Sequence, residues 1–98
     1  MTTQQMYDKA QSSARCETFR IGKYDAAFLP FRNTLIGTEH CLIDIYRAQG
    51  GREILLGTLT VRYPFKDGEP VAGYAITGTG RAALSLQSGI DALEQSFG

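Results

Sequence analysis

The stretch Ile76-Thr77-Gly78-Thr79-Gly80-Arg81 runs on into AALSLQSGIDALEQSFG, placing two glycines and an arginine where a strand-like segment gives way to a helix-like one. Free amides at a helix N-terminus, the positive end of the helix dipole and an arginine together suit an anion. Gly78, Thr79, Gly80 and Arg81 are therefore the candidate anion-binding residues. A phosphate loop needs a longer glycine loop ending in Gly-Lys-Ser or Gly-Lys-Thr, and a dinucleotide site needs a further glycine inside a parallel βαβ unit. This chain has neither pattern, and glycine at such a junction also serves simply to turn the chain.

Other residues able to do chemistry are few. His40 and Cys41 stand side by side as a base and a nucleophile, but adjacent strand residues point to opposite faces and do not meet as a catalytic pair. The single histidine and the two scattered cysteines, Cys16 and Cys41, supply neither a metal-ligand set nor a disulfide framework. Both cysteines read as small buried hydrophobes, held as thiols in a reducing cytoplasm. No metal and no cofactor is expected. Asp44 lies on an otherwise apolar strand, where it is either a pocket acid with a raised pKa or an edge carboxylate paired to Arg20, Arg32 or water. Tyr24, Tyr46, Tyr63 and Tyr74, with Phe28, Phe31 and Phe65, either line a ligand pocket or fill core and rim, the common role of strand aromatics.

The elements that must position these residues follow from periodicity. Residues 38–48 and 53–65 are rich in β-branched and aromatic side chains, and Gly50-Gly51 between them supplies the positive φ angles of a tight hairpin. With those glycines central, Arg47 faces Ile54, Tyr46 faces Leu55, Ile45 faces Leu56, Leu42 faces Leu59 and Glu39 faces Arg62. The turn at Asp67-Gly68 leads into a strand over 71–77, with Tyr63 facing Ala72, Val61 facing Tyr74 and Leu59 facing Ile76. Ala83, Leu86, Ile90, Leu93 and Phe97 then recur at helical spacing, and Thr79 is placed to cap that helix. Upstream, alternation over 15–24 reads as a first strand, and 25–37 as an apolar connection hiding a short edge strand at 27–31, confined to an edge by Pro30. Residues 1–13 read as a flexible tail or weak helix, with only Met6 and Ala10 as a stripe.

Side chains alternate across a sheet, so this register sorts the hairpin into two faces. One holds Leu42, Tyr46, Leu55, Leu59, Val61, Tyr63, Tyr74 and Ile76, a bed for the helix, with Asp44 opposite Gly57. The other holds Cys41, Ile43, Ile45, Ile54 and Leu56. Leaving such a cluster in water forfeits about 1.5–3 kcal/mol per aliphatic side chain, so something must cover it. The N-terminal segment, residues 28–36 or a second copy of the chain are the available covers, and Ile43, Ile45, Ile54 and Leu56 become the candidate interface.

A length of 98 residues fits one domain, here 14–98, and 43% hydrophobic with 20% charged residues marks it as globular rather than disordered. Ten basic residues balance ten acidic ones without runs of either sign, which argues against nucleic acid as a partner. No apolar stretch approaches the roughly 20 residues of a membrane span, and the expected location is cytoplasmic. The expected fold is α+β: an antiparallel meander of three to five strands with the C-terminal helix on one face. The expected function is noncatalytic, by protein association as a homodimer or as an accessory or inhibitory subunit. The alternative is a small-molecule or anion binder using the Gly78–Arg81 turn or an aromatic pocket.

Overall fold

The computed structural model describes residues 1–13, 16–33 and 38–97. Helices α1 (Thr3–Ser13) and α2 (Leu86–Phe97) bracket eight strands: β1 (Glu17–Ile21), β2 (Tyr24–Asn33), β3 (Thr38–Gln49), β4 (Arg52–Arg62), β5 (Phe65–Lys66), β6 (Glu69–Pro70), β7 (Tyr74–Ile76) and β8 (Arg81–Ala83). Six form one sheet in the order β1-β2-β3-β4-β7-β8, antiparallel throughout, and β5 and β6 form a separate small ladder. The α+β class, the antiparallel meander and the C-terminal helix are as expected, but the main sheet has six strands rather than three to five.

The extra width has two sources. Tyr24–Asn33 is a full strand paired on both sides, not a connection with a short edge piece. Pro30 is tolerated because the β1 ladder begins at Glu17 opposite Phe28, so Pro30, opposite Cys41, has a partner only on β3. Leu35 and Ile36, part of the proposed cover, lie outside the described residues. The second source is the turn at 77–80, which leads into β8 and not into a helix.

The central hairpin closes at Gly50-Gly51, whose φ angles of 59° and 79° only glycine adopts readily. From the turn the register follows the expectation through Tyr46↔Leu55, then shifts: Ile45 pairs with Gly57, Ile43 with Leu59, Leu42 with Thr60 and His40 with Arg62. Leu56 is the extra residue of a β-bulge. A slip of one residue exchanges the two faces of everything beyond it. Ile43 and Ile45 are consequently fully buried and Leu56 nearly so, in one core with Leu59, Val61, Tyr74, Phe28 and the helices. Leu42 and Leu55, expected beneath the helix, point the other way and are 37% and 46% exposed. Asp44 faces Thr58, not Gly57.

Both helices lie on the Ile43/Ile45 side. Helix α2 packs over β4, β7 and β8 through Leu86, Ile90 and Leu93. Its close approach rests on two reciprocal gaps: Leu93 fills the space above Gly57, where a Cβ would stand 2.5 Å from its Cδ2, and Leu59 fills the space below Gly89, where a Cβ would stand 2.9 Å from its Cδ1. The helix begins after Ser85, whose Oγ accepts the Ser88 N–H at 3.1 Å, so Ser85 and not Thr79 is the cap. Ala83 of the predicted stripe belongs to β8, and Phe97 is half exposed.

Of the two readings of residues 1–13, tail or weak helix, the helix is present as α1. Thr2 and Gln5 form a reciprocal capping box, with Gln5 N–H to Thr2 Oγ1 at 3.2 Å and Thr2 N–H to Gln5 Oε1 at 2.7 Å. The helix it starts buries Thr3, Met6, Tyr7 and Ala10 against β1, β2 and the β5–β6 ladder. Tyr7 stacks edge-on to Phe65 at 5.1 Å between ring centroids, and Phe65 on Tyr63 at 5.3 Å. The Asp67-Gly68 turn is present, with φ of 55° and 82°, but it closes only the short Phe65↔Pro70 and Lys66↔Glu69 ladder. Leu59↔Ile76 forms as expected. Among the described residues no helix is long and apolar enough to cross a membrane.

Candidate functional site

The surface that the fold leaves uncovered is the sheet face away from α1 and α2. Strand register fixes its rows. Asp25, Tyr46 and Leu55 share one, Ala27, Asp44 and Thr58 the next, and Leu29, Leu42, Thr60, Ala75 and Ala82 the third; His40 and Arg62 lie beyond. Leu42 and Leu55 are the exposed large apolar residues here, with Leu29 and Tyr46 half-buried beside them. At its β7–β8 side Thr60, Ala75 and Ala82 present only short side chains.

Its charges are of both signs. Asp44 is not a pocket acid but a surface carboxylate, accepting the Thr58 hydroxyl at 2.7 Å. Arg20 pairs with Asp25 at 3.2 Å. Glu53 hydrogen-bonds to the same Asp25, and this bond, followed by desolvation and the negative charge of Asp25, raises the Glu53 pKa while Arg20 opposes the rise. Arg62 has no ion-pair partner among the described residues.

The other polar groups hold the fold together on the helix side. Tyr74, wholly buried, donates its hydroxyl to Glu69 and accepts that of Thr3 at 2.6 Å, which ties α1 to β6 and β7. Burial first, and the Glu69 carboxylate second, push its pKa up. Arg47 on β3 forms an ion pair with Glu94 on α2 and lies 6.0 Å from the Phe97 ring centroid.

Gly78, Thr79, Gly80 and Arg81 are together, exposed in the turn between β7 and β8. No helix follows them directly, so no helix dipole is aimed there. The Arg81 N–H is already given to Thr79 Oγ1 at 3.0 Å, and that hydroxyl is given to the Ile76 carbonyl at 2.8 Å. The glycines are explained by φ angles of 85° and 72°. The predicted interface residues Ile43, Ile45 and Leu56 are core, with Ile54 half-buried opposite Arg47 near the hairpin tip. The bulge moves them there, and the surface they would have formed is made instead by Leu42 and Leu55.

The aromatics do not converge on one pocket. Tyr24, Phe28 and Tyr74 are core, Tyr63 and Phe65 join Tyr7 against α1, and Tyr46 sits on the open face. Cys41 is buried and burial pushes its thiol pKa up to about 12, while His40 belongs to the opposite face. Cys16 is exposed, contrary to its reading as a buried hydrophobe. Among the described residues no three His, Cys, Asp or Glu side chains cluster to hold a metal ion. No family model, curated protein or solved structure matches the chain.

Proposed function

We propose that this chain acts by protein association rather than catalysis, as a homodimer joined through the open face of its sheet. One observation carries the reading: both helices cover the same side, leaving Leu29, Leu42, Tyr46 and Leu55 on the other, with Leu42 and Leu55 37% and 46% exposed. Apolar area left in water costs about 25 cal/mol per Å², and contiguous exposed apolar patches mark association surfaces. A second copy fits as the partner because the face carries Arg20 and Arg62 beside Asp25, Asp44 and Glu53. A surface with both signs complements itself, whereas a surface of one sign calls for a partner of the other. Two-fold self-association is also the commonest arrangement. Use of the same face against a different protein, as an accessory or inhibitory subunit, is the related reading. A cytoplasmic setting, with Cys16 and Cys41 as free thiols, belongs to the same proposal.

Sedimentation velocity across a concentration series tests it. The parent chain is expected to dimerise reversibly. Leu42→Asp and Leu55→Asp, on half-exposed sites where folding tolerates a charge, are each expected to weaken the dimer by about 30-fold, the effect of losing roughly 2 kcal/mol at a central contact. A parent chain that stays monomeric at every concentration, or a dimer indifferent to both substitutions, refutes the homodimer through this face.

A further inference from the structure

Beyond association, we propose that the cleft where β4 and β7 part company binds a small monocarboxylate with a short aliphatic body, anchored by Arg62. The cleft has a volume of about 310 Å³ and is lined by Thr60, Arg62, Ala72, Gly73 and Ala75.

Its origin is a break in the ladder. Thr77 N–H donates to the Thr58 carbonyl at 3.1 Å. In an antiparallel pair alternate residues turn their main-chain groups to the same neighbour, so Thr58, Thr60 and Arg62 all present theirs toward β7. Thr60 meets Ala75. The next residue in line for Arg62 is Gly73, but its N–H is spent on the Pro70 carbonyl at 3.1 Å. The turn that carries Gly73 away has φ of 79°, and a Cβ there would stand 2.7 Å from the Ala83 carbonyl oxygen, so glycine is required. The Arg62 carbonyl therefore lacks the donor that Gly73 would have given it, the ladder ends at Thr60↔Ala75, and the strands separate beside Arg62.

Two residues with donor side chains line the cleft: Arg62, whose guanidinium has no carboxylate partner among the described residues, and Thr60, whose hydroxyl is on the same face. A planar guanidinium matches a carboxylate in a two-point hydrogen-bonded fork. A single cation suits a monoanion better than a phosphate dianion. The remaining walls, the methyls of Ala72 and Ala75, accept a short aliphatic chain, and the volume is at the lower end of ligand sites, which start near about 300 Å³.

The test is a residue-resolved NMR titration of the ¹⁵N-labelled chain with butyrate, with neutral butyramide and inorganic phosphate as comparisons. Butyrate is expected to give saturable shifts at Arg62, Gly73 and Ala75 with a dissociation constant on the order of 1 mM, weak because so small a ligand has few atoms to contribute. Arg62→Ala is expected to weaken this roughly tenfold or more, and Arg62→Lys to weaken it less, since a charge remains but the fork is lost. Ala75→Leu, on an exposed strand position, fills the cleft and is expected to abolish binding while leaving Arg62 in place. Absence of saturable shifts with butyrate in Leu55→Asp, where the dimer no longer covers the cleft, overturns the proposal, as does equal binding of butyramide or phosphate, or persistence of the Gly73 and Ala75 shifts in Arg62→Ala. Repeating the titration in Leu55→Asp, a site on the row of Tyr46 and away from the cleft, separates this result from the fate of the dimer.

Discussion

At the scale of single residues, the carboxyl pair of the open face, Glu53 and Asp25, has a pH signature of definite sign. Glu53 shares a hydrogen bond with Asp25, and its pKa in the folded chain is raised above the ordinary 4.5. A carboxyl whose folded pKa is raised binds its proton more tightly in the native state, so its stabilising contribution is complete below the unfolded value and is lost as pH rises through the folded one. Glu53→Gln keeps a hydrogen-bonding group and removes the charge. The variant is expected to melt at a higher temperature than the parent at neutral pH, with less decline in melting temperature on going from acid to neutral solution. Superimposable melting profiles for the two proteins across that range would show that the pair is not formed. The two cysteines differ in kind at this scale: Cys16 is exposed, whereas Cys41 is kept protonated by burial at neutral pH.

Among elements, the contact between α2 and β4 governs which face of the sheet is inside. Gly57 and Gly89 are absences of side chain that Leu93 and Leu59 occupy, so the helix and strand lie closer than Cβ-bearing residues allow. Leu93→Ala is expected to cost about 2–5 kcal/mol by urea unfolding, the range for emptying a buried leucine site. Gly57→Ala alone is expected to cost about 1–3 kcal/mol by pushing Leu93 aside. Combined with Leu93→Ala, the added methyl enters space already vacated, so the double variant is expected to lose less than the sum of the two single losses, keeping only the backbone strain of a Cβ at the Gly57 φ of 159°. Additive losses would mean that Leu93 does not sit over Gly57.

For the whole molecule, the decisive feature is that α1 and α2 share one core on one side of one sheet. Tyr7 and Ile90 belong to the same buried cluster, and the Thr3–Tyr74–Glu69 hydrogen bonds join the start of the chain to strands far along it. A single contiguous core of this size unfolds as one unit. Tyr7→Ala is therefore expected to lower global stability by about 3–5 kcal/mol, with the helical far-UV signal and the tyrosine near-UV signal lost in one coincident transition. Loss of a fraction of the helix ahead of the sheet would instead assign residues 1–13 to an independent segment.

Local pattern alone determined the α+β class, the hairpins at Gly50-Gly51 and Asp67-Gly68 and the stripe of α2 through Leu86, Ile90 and Leu93, because turn conformation and side-chain period depend on neighbours a few residues away. The capping box of Thr2 and Gln5 was equally local, and with Thr3, Met6, Tyr7 and Ala10 it was a legible sign of α1 that an average over a polar segment hid. Tertiary structure alone decided which face is covered. The bulge at Leu56 is one unpaired residue with no mark of its own in the alternation of β4, and what holds it is Leu93 seated above Gly57 and Ile43 set against Leu59, contacts between residues far apart in the chain. With a period of two, that one residue exchanges inside for outside, so the residues of the candidate surface, Leu42, Leu55 and Tyr46, were all present in the sequence while their direction was not.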